Sequence, residues 1–275
     1  MPHLDANGLR FHVQVLPDAP SPDRPPRPRV VMLHGLVMDN LSSYYYTVAN
    51  PVALIADTYL YDMRGHGRSD VPATGYRVAD HVDDLRGLLA AWDIVDQPVH
   101  LVGNSFGGVV ALSYARRFPE HVASLVLIEA HFATEGWGEH MAGSLALAAF
   151  GLDDDSVRAW LECNATRKLS RLARHSETLL HETSLIADLQ SERPFPRRAL
   201  QAIDCPTLAI YGEGSDILDR AQDLERDIPG CELHVLPGAT HSVLTEATPV
   251  VRDLTTDWIV RQGATRSTAP ITVEA

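Results

Sequence analysis

Apolar and polar residues alternate from Leu9 to Val15, the two-residue period of a half-buried strand. Arg29 to Leu33 is different: a continuous apolar run ending at His34-Gly35, which predicts a strand buried on both faces. Further runs of this kind end at Tyr61, Val102, Ile128, Tyr211 and Leu236. Between them, apolar residues recur at helical spacing over Asp80–Ala91, Phe106–Phe118, Ile217–Asp227 and Pro249–Val260. Strands alternating with helices of this length predict crossover units: an α/β chain whose mostly parallel sheet carries helices on both faces.

The rhythm breaks once. From about His131 to Leu200 no segment reads as a strand, and helical patterns run over 138–150, 156–163, 168–182 and 184–190. Seventy residues are too many for a structureless loop, so this stretch is expected to be an inserted helical cap. The predicted organisation is a first core part over 1–130, a cap over 131–200 and a second core part over 201–262. The proline-rich stretch Pro17–Pro28 reads as an extended connection. The tail 263–275 is small, polar and expected to be disordered.

Composition narrows the partners. Of 275 residues 45% are apolar and 21% charged, enough material for a sizeable core. Lys plus Arg number 23 against 36 Asp plus Glu, a formal charge of −13 with no basic run to offset it. Such a chain repels polyanions, which excludes nucleic acid as the main partner. Three cysteines without a C-x-x-C pair fit a reducing compartment. Met1–Asp5 has neither the basic nor the apolar part of a secretory signal, and the apolar stretch Met141–Phe150 falls far short of the ~20 residues of a membrane span. No membrane association and a cytoplasmic location are expected.

The chemistry concentrates on Gly103-Asn104-Ser105-Phe106-Gly107-Gly108, where an apolar strand meets an apolar-periodic helix. A serine at so sharp a turn has a strained backbone that only small neighbours permit, and its hydroxyl rises above the sheet edge toward a positive helix end. Ser105 is the candidate nucleophile. A hydroxyl needs a base, and of thirteen histidines His241, after the last strand and before the final helix, sits at the same carboxyl edge. His175 and His181 lie on cap segments without a partner pattern. Asp216, after the Tyr211 strand, is the preferred third member, and Glu129, at the end of Leu125–Ile128, is its rival. The amides of Leu36 and Phe106 are the expected oxyanion donors. Asp62–Ser69 lacks a phosphate-loop lysine and gives His66 no second metal ligand, so it reads as a structural turn; no metal and no cofactor are expected.

Together, His34-Gly35, Gly65-His66-Gly67-Arg68-Ser69, Gly103–Gly108, Gly212–Asp216 and Gly238–His241 resemble the α/β-hydrolase fold family, with the nucleophile, acid and base in its Ser-Asp-His order. The resemblance spans residues 9–262. It implies an eight-stranded-type sheet, an inserted cap and hydrolysis of a small apolar or polyketide-like ester or thioester through an acyl-enzyme. An acyl carrier protein is left open as partner. Gly-Asn-Ser-x-Gly-Gly also matches carbon–carbon bond hydrolases of the meta-cleavage type, although these usually carry tryptophan where this chain has Ser242. A non-catalytic ligand-binding homologue is the remaining alternative. Trp137, Met141, Leu145 and Trp160 of the cap are candidates for an apolar substrate wall, with cap core as the competing role for each.

Overall fold

The computed structural model describes residues 2–16, 27–132, 134–153 and 167–267. The chain opens with strands β1 (His3–Ala6) and β2 (Leu9–Leu16), then β3 (Arg29–Leu33) and β4 (Asp57–Tyr61). Helix α1 (Val78–Ala91), β5 (Val99–Asn104), α2 (Phe106–Arg117) and β6 (Val122–Ile128) follow. Helices α3 (Trp137–Asp153), α4 (Arg167–His181), α5 (Leu185–Gln190) and α6 (Arg197–Gln201) then precede β7 (Thr207–Gly212), α7 (Leu218–Asp227), β8 (Glu232–Leu236) and α8 (Thr248–Ser267).

The eight strands form one sheet in the order β1-β2-β4-β3-β5-β6-β7-β8. Pairs β1–β2 and β2–β4 are antiparallel and the other five are parallel. The continuous apolar runs are explained by this burial on two faces. Successive side chains of a strand point to opposite sides. Val30, Met32, Val102, Val126, Ile128, Leu208 and Ile210 therefore enter one apolar layer, with Tyr44, Val48 and Trp258. Val31, Leu33, Leu101, Leu125, Leu127, Ala209 and Tyr211 enter the other, with residues of α1, α2 and α7.

Three features depart from the sequence reading. β1 escaped it, although Asn7 (φ 47°) and Gly8 (φ 76°) form the positive-φ pair of a tight hairpin in which Ala6 faces Leu9. Residues 42–52 form a broken helix whose middle, Tyr45–Ala49, is π-helical. The last helix runs through Ser267, so residues 263–267 are helical rather than part of a disordered tail. Between β6 and β7 the described residues hold helices and no strand. The predicted helix over 156–163, Trp160 and Cys163 within it, and residues 268–275 lie outside the described residues. Among the described residues, no helix is long and apolar enough to cross a membrane.

Candidate active site

Ser105 stands between β5 and α2 with φ 50° and ψ −115°, a conformation that costs a non-glycine residue ~1–3 kcal/mol. Its neighbours explain how the fold holds it there. A Cβ on Gly103 would meet the Gly107 carbonyl oxygen at 2.6 Å, and one on Gly107 would meet the Leu33 carbonyl oxygen at 2.1 Å. The helix thus packs against the ends of β3 and β5 more closely than any side chain allows. The Ser105 amide donates to Ile128 O at 2.9 Å, tying the turn to the end of β6.

At that end, Glu129 also has a positive φ, 49°. The reversal turns its carboxylate under the sheet rim, where it is fully buried. Oε1 accepts the Gly212 amide at 2.5 Å; Oε2 accepts the Ser215 hydroxyl at 2.6 Å and lies 3.0 Å from His241 Nδ1. His241 Nε2 is in turn 3.3 Å from Ser105 Oγ. The loop that carries His241 presses on the end of β7: a Cβ on Gly212 would meet Ala239 O at 2.4 Å.

The structure therefore brings Ser105 and His241 together as the sequence suggested, but puts Glu129, not Asp216, on the imidazole. The reason is local. The Gly212–Asp216 turn spends its Gly212 amide and Ser215 hydroxyl on the Glu129 carboxylate, and Asp216 itself is exposed with no hydrogen bond to His241. Its influence is charge at a distance. The His241 pKa is raised above its ordinary value, first by the Glu129 hydrogen bond, against partial burial, and then by the charges of Glu129 and Asp216. His131, which sequence reasoning passed over, lies with its ring centroid 5.4 Å from that of His241. Burial, helped by the His241 charge, lowers its pKa to about 4. Its only sequence signal was its place two residues beyond Glu129.

The turn after β3 packs on the elbow, since a Cβ on Gly35 would come within 3.6 Å of Ser105 Cβ. Here the backbone donors are unevenly used. The Gly35 amide goes to Asp39 Oδ2 (2.6 Å), that of Val37 to His66 Nε2 (2.8 Å) and that of Met38 to Leu36 O (2.9 Å). The amides of Leu36 and Phe106, singled out from the sequence, make no hydrogen bond among the described residues. The wall candidates fare less simply. Trp137 and Leu145 are buried in the apolar layer that also holds Phe132, Leu179 and Leu189, and Met141 packs partly buried against it. These three are spent on joining α3, α4 and α5 to the core. Among the described residues no cluster of three or more His, Cys, Asp or Glu is placed to hold a metal ion.

Comparison with known proteins agrees with this architecture. Residues 28–148 match the family model of the alpha/beta hydrolase fold. A monoacylglycerol lipase of Mycolicibacterium smegmatis is 28% identical over 265 residues, 90% of this chain and 93% of that protein. Among solved structures, a thermophilic esterase from Thermogutta terrifontis superposes with a TM-score of 0.73 at 19% identity, covering 95% of this chain and 99% of the esterase. A meta-cleavage product hydrolase from Pseudomonas fluorescens gives a TM-score of 0.68 at 20% identity, covering 95% and 98%. At these identities the two structures speak for the fold alone.

Proposed function

Because the chain belongs to the α/β-hydrolase fold family, we propose that it hydrolyses a carboxylic ester or thioester of a small apolar or polyketide-like acid through an acyl-Ser105 intermediate. The observation that carries this reading is the unbroken line Ser105 Oγ, His241 Nε2, His241 Nδ1, Glu129 Oε2, at 3.3 and 3.0 Å. His241 takes the Ser105 proton as Oγ attacks the carbonyl carbon. Glu129 accepts a hydrogen bond from Nδ1–H, which fixes the tautomer and stabilises the imidazolium. The unspent Leu36 and Phe106 amides receive the oxyanion, a contribution of ~3 kcal/mol of barrier for each such donor. His241 then protonates the leaving alcohol or thiol. Water, activated by the same imidazole, releases the acid.

The test is covalent and kinetic together. A fluorophosphonate probe is expected to label the wild-type protein at Ser105 and to leave Ser105→Ala unlabelled. Short p-nitrophenyl esters and acyl thioesters should be turned over, and a dienone ring-cleavage product should not. Preference for the dienone would turn the reading to carbon–carbon bond hydrolysis, and a wild-type protein that takes up no probe would be a binding module.

A further inference from the structure

We infer that His66, in the turn after β4, is a positioning residue that acts from the Val37 side, with His34 on the Gly35 side, to aim the Leu36 amide into the oxyanion site, a role that rests on the hydrolase reading above. Val37 follows Leu36 and has φ 63°, a region that a β-branched residue adopts only when held there. Two bonds hold it, one local and one from outside the turn: the Met38 amide donates to Leu36 O at 2.9 Å across Val37, and His66 supplies the other. His66 Nε2 accepts the Val37 amide at 2.8 Å, while His66 Nδ1 donates to Arg64 O at 2.8 Å. That pair of bonds defines one neutral tautomer, on a ring that is 2% exposed. An imidazolium could not accept the Val37 proton.

The rest of the loop is tied around this point. His34 repeats the pattern, donating from Nδ1 to Gly35 O at 2.6 Å and accepting the Met63 amide on Nε2 at 2.9 Å. Asp39 takes the Gly35 amide, and Asp62 takes that of Leu41 at 2.8 Å. Two ties reach the peptides on either side of the Leu36 Cα: His34 holds Gly35 O, in the peptide that carries the Leu36 amide, and Leu36 O accepts the Met38 amide. The peptide between Leu36 and Val37 is held at its carbonyl by the Met38 amide and at its N–H by the His66 ring, the one acceptor of the Val37 amide among the described residues. Releasing it lets Val37 relax toward negative φ and turns the neighbouring Leu36 amide away from the carbonyl it must meet. No contact of His66 with the reacting atoms is needed.

Two substitutions separate the bonds of the ring. His66→Asn keeps a donor near the Nδ1 position and loses the acceptor; His66→Gln puts an amide oxygen near the Nε2 position and keeps it. With a p-nitrophenyl ester, His66→Asn is expected to lose ~100-fold in kcat with KM changed less than ~threefold, the scale of a displaced oxyanion donor. His66→Gln is expected to stay within ~fivefold of wild type. A readout independent of turnover is hydrogen exchange at the Val37 amide: slow in the wild type and His66→Gln, fast in His66→Asn. Equal losses in the two variants, or full kcat in His66→Asn, would overturn the inference. So would fast Val37 exchange in the wild type, even if neither variant folded. A wild-type protein inert toward esters and probe, yet slow at Val37 and released by His66→Asn, would sink the hydrolase reading and leave the latch standing.

Discussion

Glu129 and His241 are 112 residues apart in the chain and 3.0 Å apart in space. The contact exists because two strand ends were shaped for it: β6 reverses its backbone at Glu129, and β7 ends in a turn that gives the carboxylate an amide and a hydroxyl. Both carboxylate oxygens of Glu129 are thus engaged as acceptors, Oε1 by the Gly212 amide and Oε2 by the Ser215 hydroxyl and His241.

Replacement at 129 is accordingly expected to be severe. In Glu129→Gln one oxygen becomes an NH2 group that must face either the Gly212 amide or the Ser215 hydroxyl and His241. Two donors then oppose each other, and the imidazole loses its preferred tautomer. A fall of ~10³–10⁴ in kcat/KM is expected. Asp216→Asn, an exposed site acting only by charge, should stay within ~threefold of wild type. Steady-state kinetics on one ester decides between them, and the reverse ranking would restore Asp216 as the acid.

The same pair sets the pH dependence. His241 works as a base only when neutral, and Glu129 holds its pKa above the ordinary value. The acidic limb of kcat/KM should therefore lie above pH ~6.5, with activity rising through it as the imidazole loses its proton. Removing the Glu129 charge should move that limb to lower pH, and Asp216→Asn should move it slightly in the same direction. A limb unmoved by Glu129→Gln would assign the titration to another group.

What the sequence revealed and what it hid follow from the same physics. The elbow was legible because Gly103, Ser105 and Gly107 fall within five residues at a strand-to-helix junction, a local pattern, although the close approach that Gly107 serves is to Leu33 and His34 at the end of β3. The acid was not legible. Glu129 and Asp216 both stand at strand ends on the correct edge, and the choice turns on a positive φ and on donors from a strand paired only in three dimensions. The Asn7-Gly8 hairpin was readable and went unread, because four residues make a weak strand pattern alone. Trp137, Met141 and Leu145 suited a substrate wall or a helical core equally well. Only packing against α4 and α5 could separate the two.

Gly107→Ala tests the elbow as a packing device. The added Cβ would sit 2.1 Å from Leu33 O and 2.6 Å from His34 O, both backbone atoms of a buried strand end. Nothing there can rotate away, so α2 must lift or β3 must bend. A loss of ~3 kcal/mol or more in unfolding free energy is expected, at the upper end for overpacking a core. Gly136→Ala, whose Cβ would meet nothing within 4 Å although its φ is 76°, is the control and should cost about 1 kcal/mol. Urea unfolding of the two variants measures the contrast.

Acid should destabilise the fold well above the range where carboxylates titrate. Burial holds His66 and His131 to about 4, whereas both take a proton near pH 6.5 once unfolded. Between those values the unfolded chain binds protons that the folded chain refuses, so stability falls as pH falls from ~6.5 to ~4 and levels off below. Each group accounts for about 2 kcal/mol by pH 4.5. His241 works with the opposite sign: its raised pKa adds stability that is fully present below pH ~6.5 and is lost as pH rises through the folded value. Urea midpoints at pH 7 and pH 4.5 read the net effect. In His131→Gln the difference between the two should shrink by about 2 kcal/mol, because one refusing group is gone. An unchanged difference would mean that His131 accepts a proton in the folded protein as readily as in the unfolded chain.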